Sequence, residues 1–326
     1  MKSEILALLR KRQDYVSGQE LCGHFGVSRT AVWKAIGQLK KEGYQIEAVQ
    51  NRGYLLIEEQ ELFGQHELES RMDTKWAGHP VTCYDVLGST NLQAKLDAEN
   101  GAGQGALVVA DMQTAGRGRR GRSWSSPPGT NVYFTLILRP HLAPDKASMV
   151  TPVMGLAVAE GIRRICGLDA LIKWPNDIVV NGRKVCGMLA EMSVERDFIH
   201  YVVIGVGINV GFQEFPEEIA NMATCLQEEC GREVPRAELL ANVMKAFEEY
   251  YENFQERGNL SGLMEQYNSL LVNRDREVRV LDPKGEFQGI ARGVNELGEL
   301  LVEREDGSVA TVYAGEVSVR GIYGYV

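Results

Sequence analysis

At 326 residues the chain is long enough for two or three domains, and its 44% hydrophobic and 24% charged residues are ordinary for a globular protein. The start, MKSEILALLRKRQD, has neither the apolar run nor the cleavage pattern of a signal peptide, and no stretch of about 18 apolar residues occurs, so neither secretion nor a membrane span is expected. The net charge of −9 hides an asymmetry: residues 1–54 carry nine Lys or Arg against five Asp or Glu, a basic head on an acidic remainder, which predicts different partners for the two.

In the head, Ser3 to Lys11 places apolar residues at 5, 6, 8 and 9, the spacing of a short amphipathic helix. Ser17-Gly18-Gln19-Glu20 is a capping box opening a second helix through Phe25, with serine and glutamate both satisfying orphan N–H groups. Gly26-Val27 makes a turn. Ser28 then caps a third helix, SRTAVWKAIGQLKKEG, with Val32, Ile36 and Leu39 inward and a stop at Gly43. Its leading and outward positions, Ser28, Arg29, Thr30 and Lys34, are hydrogen-bonding or basic, as a helix entering the DNA major groove requires. Tyr44 to Ile57, bending at Asn51-Arg52-Gly53, predicts a two-stranded wing. Residues 1–60 therefore predict a winged helix–turn–helix domain that binds DNA; the alternative is a small helical module with a solvated basic face. Glu58-Glu59-Gln60-Glu61 predicts an acidic, helical connector.

From Val81 the pattern becomes strands separated by helices. Val81 to Leu87 predicts a strand, and Gly88-Ser89-Thr90-Asn91 caps a helix to about Glu99; these small polar side chains can also bond a neutral polar ligand. Ala106 to Ala110 and Val132 to Phe134 to Leu138 predict buried strands, and between them hangs DMQTAGRGRRGRSWSSPPGTNVY, residues 111–133. Its Gly116-Arg117-Gly118-Arg119-Arg120-Gly121-Arg122 alternates backbone that can approach a ligand closely with guanidinium forks that match carboxylate and phosphate oxygens. It predicts an anion-wrapping loop; a solvated basic loop or a nucleic-acid contact is the alternative. Trp124 and the stiff Ser125-Ser126-Pro127-Pro128-Gly129 return favour closure over a heterocycle.

Ser148 to Cys166 predicts a buried helix. Lys173-Trp174-Pro175-Asn176-Asp177 follows, then a hairpin turning at Asn181-Gly182 into Lys184 to Glu191, and a strand from Phe198 to Val210. Gly101 to Gly105 precedes a strand and Gly205 to Gly211 does not lead directly into a helix, so neither is a dinucleotide fingerprint, and no phosphate loop of the G-x-x-x-x-G-K-[ST] type exists. Arg236 to Arg257 and Leu260 to Leu271 predict helices. Glu277 to Val326 predicts short strands in a small β barrel or sandwich, broken at Asp282-Pro283-Lys284-Gly285, Asn295 to Gly298 and Asp306-Gly307. Six scattered cysteines without C-x-x-C predict reduced, mostly buried thiols in a cytoplasmic protein, and no metal site of protein ligands is expected.

Gly116 to Trp124 and Lys173 to Asp177, about 50 residues apart, together closely resemble the motifs of the biotin–protein ligase family, and the winged head resembles that of its bifunctional bacterial members. Lipoate–protein ligases share the core fold, but the arginine loop and tail are similar to the biotin branch. The resemblance implies a multidomain α+β protein: a DNA-binding head at 1–60, a class II synthetase-like ligase core at 66–271 on a central mixed sheet with helices, and an SH3-like barrel at 272–326. It implies that biotin and ATP, with Mg²⁺, form biotinyl-5′-adenylate, and that biotin then passes to a lysine of a biotin carboxyl carrier protein. It further implies that the adenylate-bound homodimer represses at operator DNA. Ser89, Thr90, Asn91 and Gln113 would meet biotin, with Arg117, Gly118, Arg119 and Lys184 closing over it. Gly116, Arg119, Arg122, Trp124, Lys173, Asn176 and Asn209 would serve the nucleotide. Arg119, Lys184 and Asp177 would be catalytic, Asp177 as general base for the incoming amine. A ligase whose head no longer binds an operator, a ligand sensor that no longer catalyses, and a lipoate ligase stay open.

Overall fold

A computed structural model of the chain describes residues 1–57, 62–195, 198–282, 285–314, 318–321 and 325–326; the connector expected at residues 58–61 lies outside the described residues. The fold divides into two compact units, Met1–Asp73 with Pro235–Ala241, and Thr74–Val234 with Asn242–Val326.

In the first unit α1 (Lys2–Arg12), α2 (Gly18–Phe25) and α3 (Arg29–Lys41) precede the antiparallel wing β1 (Gln45–Val49) and β2 (Gly53–Ile57). The 3.6-residue spacing of apolar positions turns Ile5, Leu6, Leu9, Leu21, Val32, Ala35, Ile36 and Leu39 onto one shared core. Ser17 Oγ accepts from Glu20 N at 3.1 Å and Ser28 Oγ from Ala31 N at 3.2 Å, so both expected caps form. The return half of the capping box does not: the Glu20 carboxylate accepts instead from Arg12 Nη2 at 2.7 Å, a charge pair that outcompetes a neutral N–H. A fourth helix, α4 (Gln65–Arg71), was not signalled by periodicity; it packs on α1, where Arg10 Nη2 donates to both oxygens of Glu67 at 3.0 Å.

The second unit is built on a seven-stranded mixed sheet of β3 (Val81–Leu87), β4 (Leu107–Gln113), β5 (Val132–Leu138), β6 (Leu171–Lys173), β7 (Asp177–Val180), β8 (Arg183–Glu195) and β9 (Phe198–Ile208). Its order is β3-β4-β5-β9-β8-β7-β6, with β3 and β4 parallel and every other pair antiparallel. All of β5 is buried, as a continuous apolar run requires. Helix α5 (Thr90–Glu99) packs Ala94 and Ala98 against Val108, Ile137 and Val203. Helix α6 (Val150–Cys166) covers β6, β7 and β8, and α7 (Leu226–Cys230) is a single turn. In α8 (Arg236–Arg257) the buried Glu248 carboxylate accepts from the N–H groups of Lys75, Trp76 and Ala77 at 2.8–3.0 Å, tying the helix to the segment before β3. Helix α9 (Met264–Leu270) is shorter than Leu260 to Leu271, because Asn259 Oδ1 accepts from Ser261 N and closes a turn where the helix would begin.

The expected small β module is a five-stranded antiparallel sheet of β10 (Glu277–Leu281), β11 (Phe287–Val294), β12 (Leu300–Glu303), β13 (Val309–Val312) and β14 (Ser318–Gly321), in the order β13-β12-β11-β10-β14. Among the described residues no helix is long and apolar enough to cross a membrane. All six cysteines are free; three are buried and three half-buried, where most were expected to be buried.

Candidate functional site

A cavity of about 280 Å³ opens in the second unit, and residues from both expected motifs line it. One end is uncharged and polar. Ser89 stands at the N-cap of α5 but makes no capping hydrogen bond, and Thr90 and Asn91 begin the helix, all three buried. Gln113 Oε1 accepts from Thr90 N at 2.9 Å and Thr90 Oγ1 at 3.1 Å, while its Nε2 donates to Ser126 Oγ at 3.0 Å. Asn91 Nδ2 donates to Leu189 O and to Glu191, and its Oδ1 accepts from Thr135 Oγ1 at 2.7 Å. Buried polar groups satisfied this fully are fixed in orientation. Burial works to raise the Glu191 carboxyl's pKa, but hydrogen bonds from Lys95 and Asn91 outweigh it and hold the group below the usual carboxylate range. Gly205 leaves the room Asn91 needs: a Cβ there would lie 1.9 Å from Asn91 Oδ1.

The floor is bare sheet. Gly187 of β8 and Gly207 of β9 are cross-strand partners, and the Trp124 indole rests on both; a Cβ would come within 2.9 Å of its Cζ3 at Gly187 and 2.5 Å of its Nε1 at Gly207. Trp124 Nε1 is buried with no hydrogen-bond partner among the described residues. The arginine loop is folded back on itself: Gly118 N donates to Arg122 O at 2.8 Å, Trp124 N donates to Gly116 O at 2.9 Å, and Arg120 takes a left-handed φ of 58° at the tip. Gly116 is spent on this closure. It does not line the cavity, and a Cβ there would meet Trp124 O at 2.4 Å. Arg117, Gly118, Arg119 and Arg122 all line it, with Arg117 and Arg122 exposed.

The other end is cationic. Arg119 Nη1 donates to Asn176 Oδ1 at 3.0 Å and Nη2 to Ala314 O at 2.5 Å. Burial pulls this guanidinium below its usual value while Asp177 opposes the shift. Lys184 Nζ, just past the Asn181-Gly182 turn, lies 2.6 Å from Asp177 Oδ1. The Tyr325 hydroxyl donates to Asp177 Oδ2. Burial alone would raise the Asp177 carboxyl, but Lys184, Lys173 and the hydrogen bonds from Lys184 and Tyr325 bring it below the ordinary carboxylate range. Lys173 is 5% exposed and donates to Val319 O at 3.1 Å; burial, against the pull of Asp177, lowers its pKa to about 8. Asn209 is buried and lines the cavity, its Nδ2 donating to Thr224 O at 3.1 Å.

Sequence reasoning missed Arg320, in β14, and Tyr325, four residues beyond it in the chain, and the apolar Met188, Phe215, Ile219 and Met222. None has a local signature. Tertiary pairing brings the C-terminal segment to the cavity, with Lys173 and Arg119 donating to its carbonyls at Val319 and Ala314 and the Tyr325 hydroxyl donating to Asp177. Among the described residues no group of three His, Cys, Asp or Glu is placed to hold a metal ion.

In the first unit, Ser28, Arg29, Thr30 and Lys34 are exposed at the start and along the outer face of α3. Ser28 Oγ is committed to its cap, and Arg29 Nη2 donates to Gln19 Oε1 at 2.8 Å. Trp33, 67% exposed on the same face, escaped notice although it lies one turn beyond Arg29 and Thr30; its helical phase was the available signal.

A model described as the biotin/lipoate A/B protein ligase family matches residues 85–209, a helix–turn–helix domain model matches 2–55, and a biotin protein ligase C-terminal domain model matches 275–320. The bifunctional ligase/repressor BirA of Bacillus subtilis (strain 168) is 39% identical over 310 residues, 94% of each chain. That of Escherichia coli (strain K12) is 32% identical over 317 residues, 97% of this chain and 96% of its own. Among solved structures, the biotin protein ligase from Aquifex aeolicus in complex with biotin and ATP superposes with a TM-score of 0.65 at 32% identity, covering 74% of this chain and 98% of that one.

Proposed function

The chain belongs to the biotin–protein ligase family, among its bifunctional ligase/repressors, and from that premise we infer how its residues divide the work. The protein is an ATP-dependent ligase that activates biotin as biotinyl-5′-adenylate and transfers it to an acceptor protein, and its head serves operator DNA. The observation that carries the reading is one cavity with two chemistries: a neutral polar end at Ser89, Thr90, Asn91 and Gln113, and a cationic end at Arg119, Lys173 and Lys184. That combination suits an uncharged ring system whose carboxylate must be brought to a polyphosphate.

In the first step a biotin carboxylate oxygen attacks the α-phosphorus of ATP and the bond to pyrophosphate breaks. In the second the acceptor amine attacks the acyl carbon, AMP leaves with the C–O electron pair, and nitrogen loses its extra proton. Both nucleophiles come from substrates, so the chain's share is positioning and charge neutralisation. Arg119 and Lys184 neutralise the carboxylate and α-phosphate; Arg117 and Gly118 close over biotin. Lys173, Asn176, Asn209 and Arg122 hold the nucleotide, and the unpaired indole donor of Trp124 supports a place beside the base. Mg²⁺ accompanying ATP would add to the charge neutralisation while asking few ligands of the protein. Asp177 receives the acceptor ammonium. Residues 1–60, 66–271 and 272–326 act as DNA-binding, catalytic and closing parts. The adenylate-bound form is a homodimer, and the acceptor is a biotin carboxyl carrier protein in the cytoplasm. Incubating a carrier domain with the protein, biotin and MgATP should raise its intact mass by one biotin; an unchanged mass refutes the reading.

A further inference from the structure

We propose that Tyr325 gates the transfer half of the reaction, holding Asp177 until an acceptor lysine takes its place. The inference rests on the ligase reading and adds a residue to it. Among the described residues lining the cavity Asp177 is the sole carboxylate. Both its oxygens are engaged, Oδ1 by Lys184 Nζ at 2.6 Å and Oδ2 by the Tyr325 hydroxyl. The same tyrosine presents its ring to the Lys173 ammonium, 4.0 Å from the centroid, within cation–π range. Its two ends thus bridge the first and last residues of the Lys173 to Asp177 motif. The seat is shaped for this segment: a Cβ at Gly321 would lie 2.1 Å from Val326 O, so only glycine lets residues 325–326 lie where they do.

The second half-reaction needs a primary ammonium to reach the cavity and lose a proton. The carboxylate that could receive it already accepts a donor, so phenol and ammonium compete for Oδ2. The contest is uneven in a useful way. A neutral phenol makes a weaker bond to a carboxylate than a cation does, so an arriving lysine displaces it, whereas water does not. Burial, and then the Asp177 charge, push the phenol's pKa upward, so Tyr325 stays a neutral donor and never acts as the base itself. Until the acceptor arrives, the phenol also keeps water from Asp177, where a water could be activated against the mixed anhydride.

Tyr325→Phe keeps the ring over Lys173 and removes the hydroxyl. In the full-length protein it should lower the KM for a carrier domain and shorten the lifetime of bound adenylate without carrier, each by roughly tenfold, the scale of one hydrogen bond to a charged group. Methylamine, which needs no docking, should also capture biotin from the bound adenylate faster. The first half-reaction is read separately by biotin-dependent exchange of pyrophosphate into ATP, melting temperature is followed throughout, and Tyr313→Phe on an exposed tyrosine is the control. A KM and adenylate lifetime equal to wild type overturn the proposal. So does a fall in transfer kcat at unchanged KM, which would make Tyr325 a helper, or a parallel fall of both half-reactions with melting temperature, which would make it packing. A wild-type protein with no pyrophosphate exchange would remove the ligase reading itself, an outcome distinct from these.

Discussion

The outer face of α3 and the cationic end of the cavity both gather positive charge, yet they hold it in opposite ways. On α3, Thr30, Trp33 and Lys34 stand in solvent, ordered by helical periodicity and two capped helix starts. In the cavity three cations already have partners: Arg119 on Asn176, Lys184 on Asp177, Lys173 on a carbonyl and a tyrosine ring. A polyanion repeats its charges, so a rigid, open row of donors suffices and released counterions supply much of the affinity. A single reacting phosphate does not repeat, and its donors have to be held in place beforehand.

The contrast is broken most severely by removing a cavity cation. Arg119→Ala or Lys184→Ala should cost about ten- to a hundredfold in adenylate formation or retention, measured by pyrophosphate exchange and by release of free adenylate. Operator binding by Lys184→Ala at saturating non-hydrolysable adenylate analogue should survive; loss of both in that variant would mean that the two regions are not separately prepared. Next in size is the difference between ligands. On the proposed reading the phosphate and base of the adenylate engage Arg119, Arg122 and Trp124, so the adenylate should promote dimerisation and operator binding about tenfold more than biotin alone, a coupling of ordinary size. Sedimentation and DNA titration at fixed salt read this, and equal effects of biotin and analogue would sink it.

A smaller effect follows from Lys173, whose pKa near 8 means that it is charged below that pH and neutral above it. One cation is therefore lost from the cavity on the alkaline side, and kcat/KM for ATP should fall several-fold between pH 8 and 9, since that parameter reports the free enzyme. In Lys173→Gln the alkaline limb should be absent; its persistence would assign the titration elsewhere. The smallest change concerns the open row. Lys34→Ala should weaken DNA binding a few-fold for operator and unrelated DNA alike and reduce the salt slope by about 0.9, with biotin transfer unaltered. A loss confined to the operator would give Lys34 a base contact instead.

How much of this was legible in the residues follows the same divide. The head could be read because its determinants are local: Ser17 and Ser28 each cap within three residues, and the inward stripe of α3 needs only a period. Even there, Glu20 answered to Arg12 rather than to its own helix, a choice made by tertiary neighbours. The Lys173 to Asp177 motif and the arginine loop were visible as unusual chemistry at fixed spacing. Tyr325 was not, because it meets Asp177 from 148 positions away and nothing near it in the chain marks the meeting. The partnership of Gly187 and Gly207 was equally hidden, since it exists only once β8 and β9 are in register.

That glycine pair has a consequence for how the protein can change. A glycine inside a strand sacrifices roughly 0.5–1 kcal/mol relative to alanine, so the sheet gives up stability where the indole lies upon it. Selection or engineering for heat resistance alone would favour filling Gly187 and Gly207, and one methyl at Gly207 would arrive 2.5 Å from the Trp124 nitrogen. The sheet can grow sturdier there only by evicting the tryptophan, so thermal robustness and the seat of the Trp124 indole make opposite demands on the same two residues.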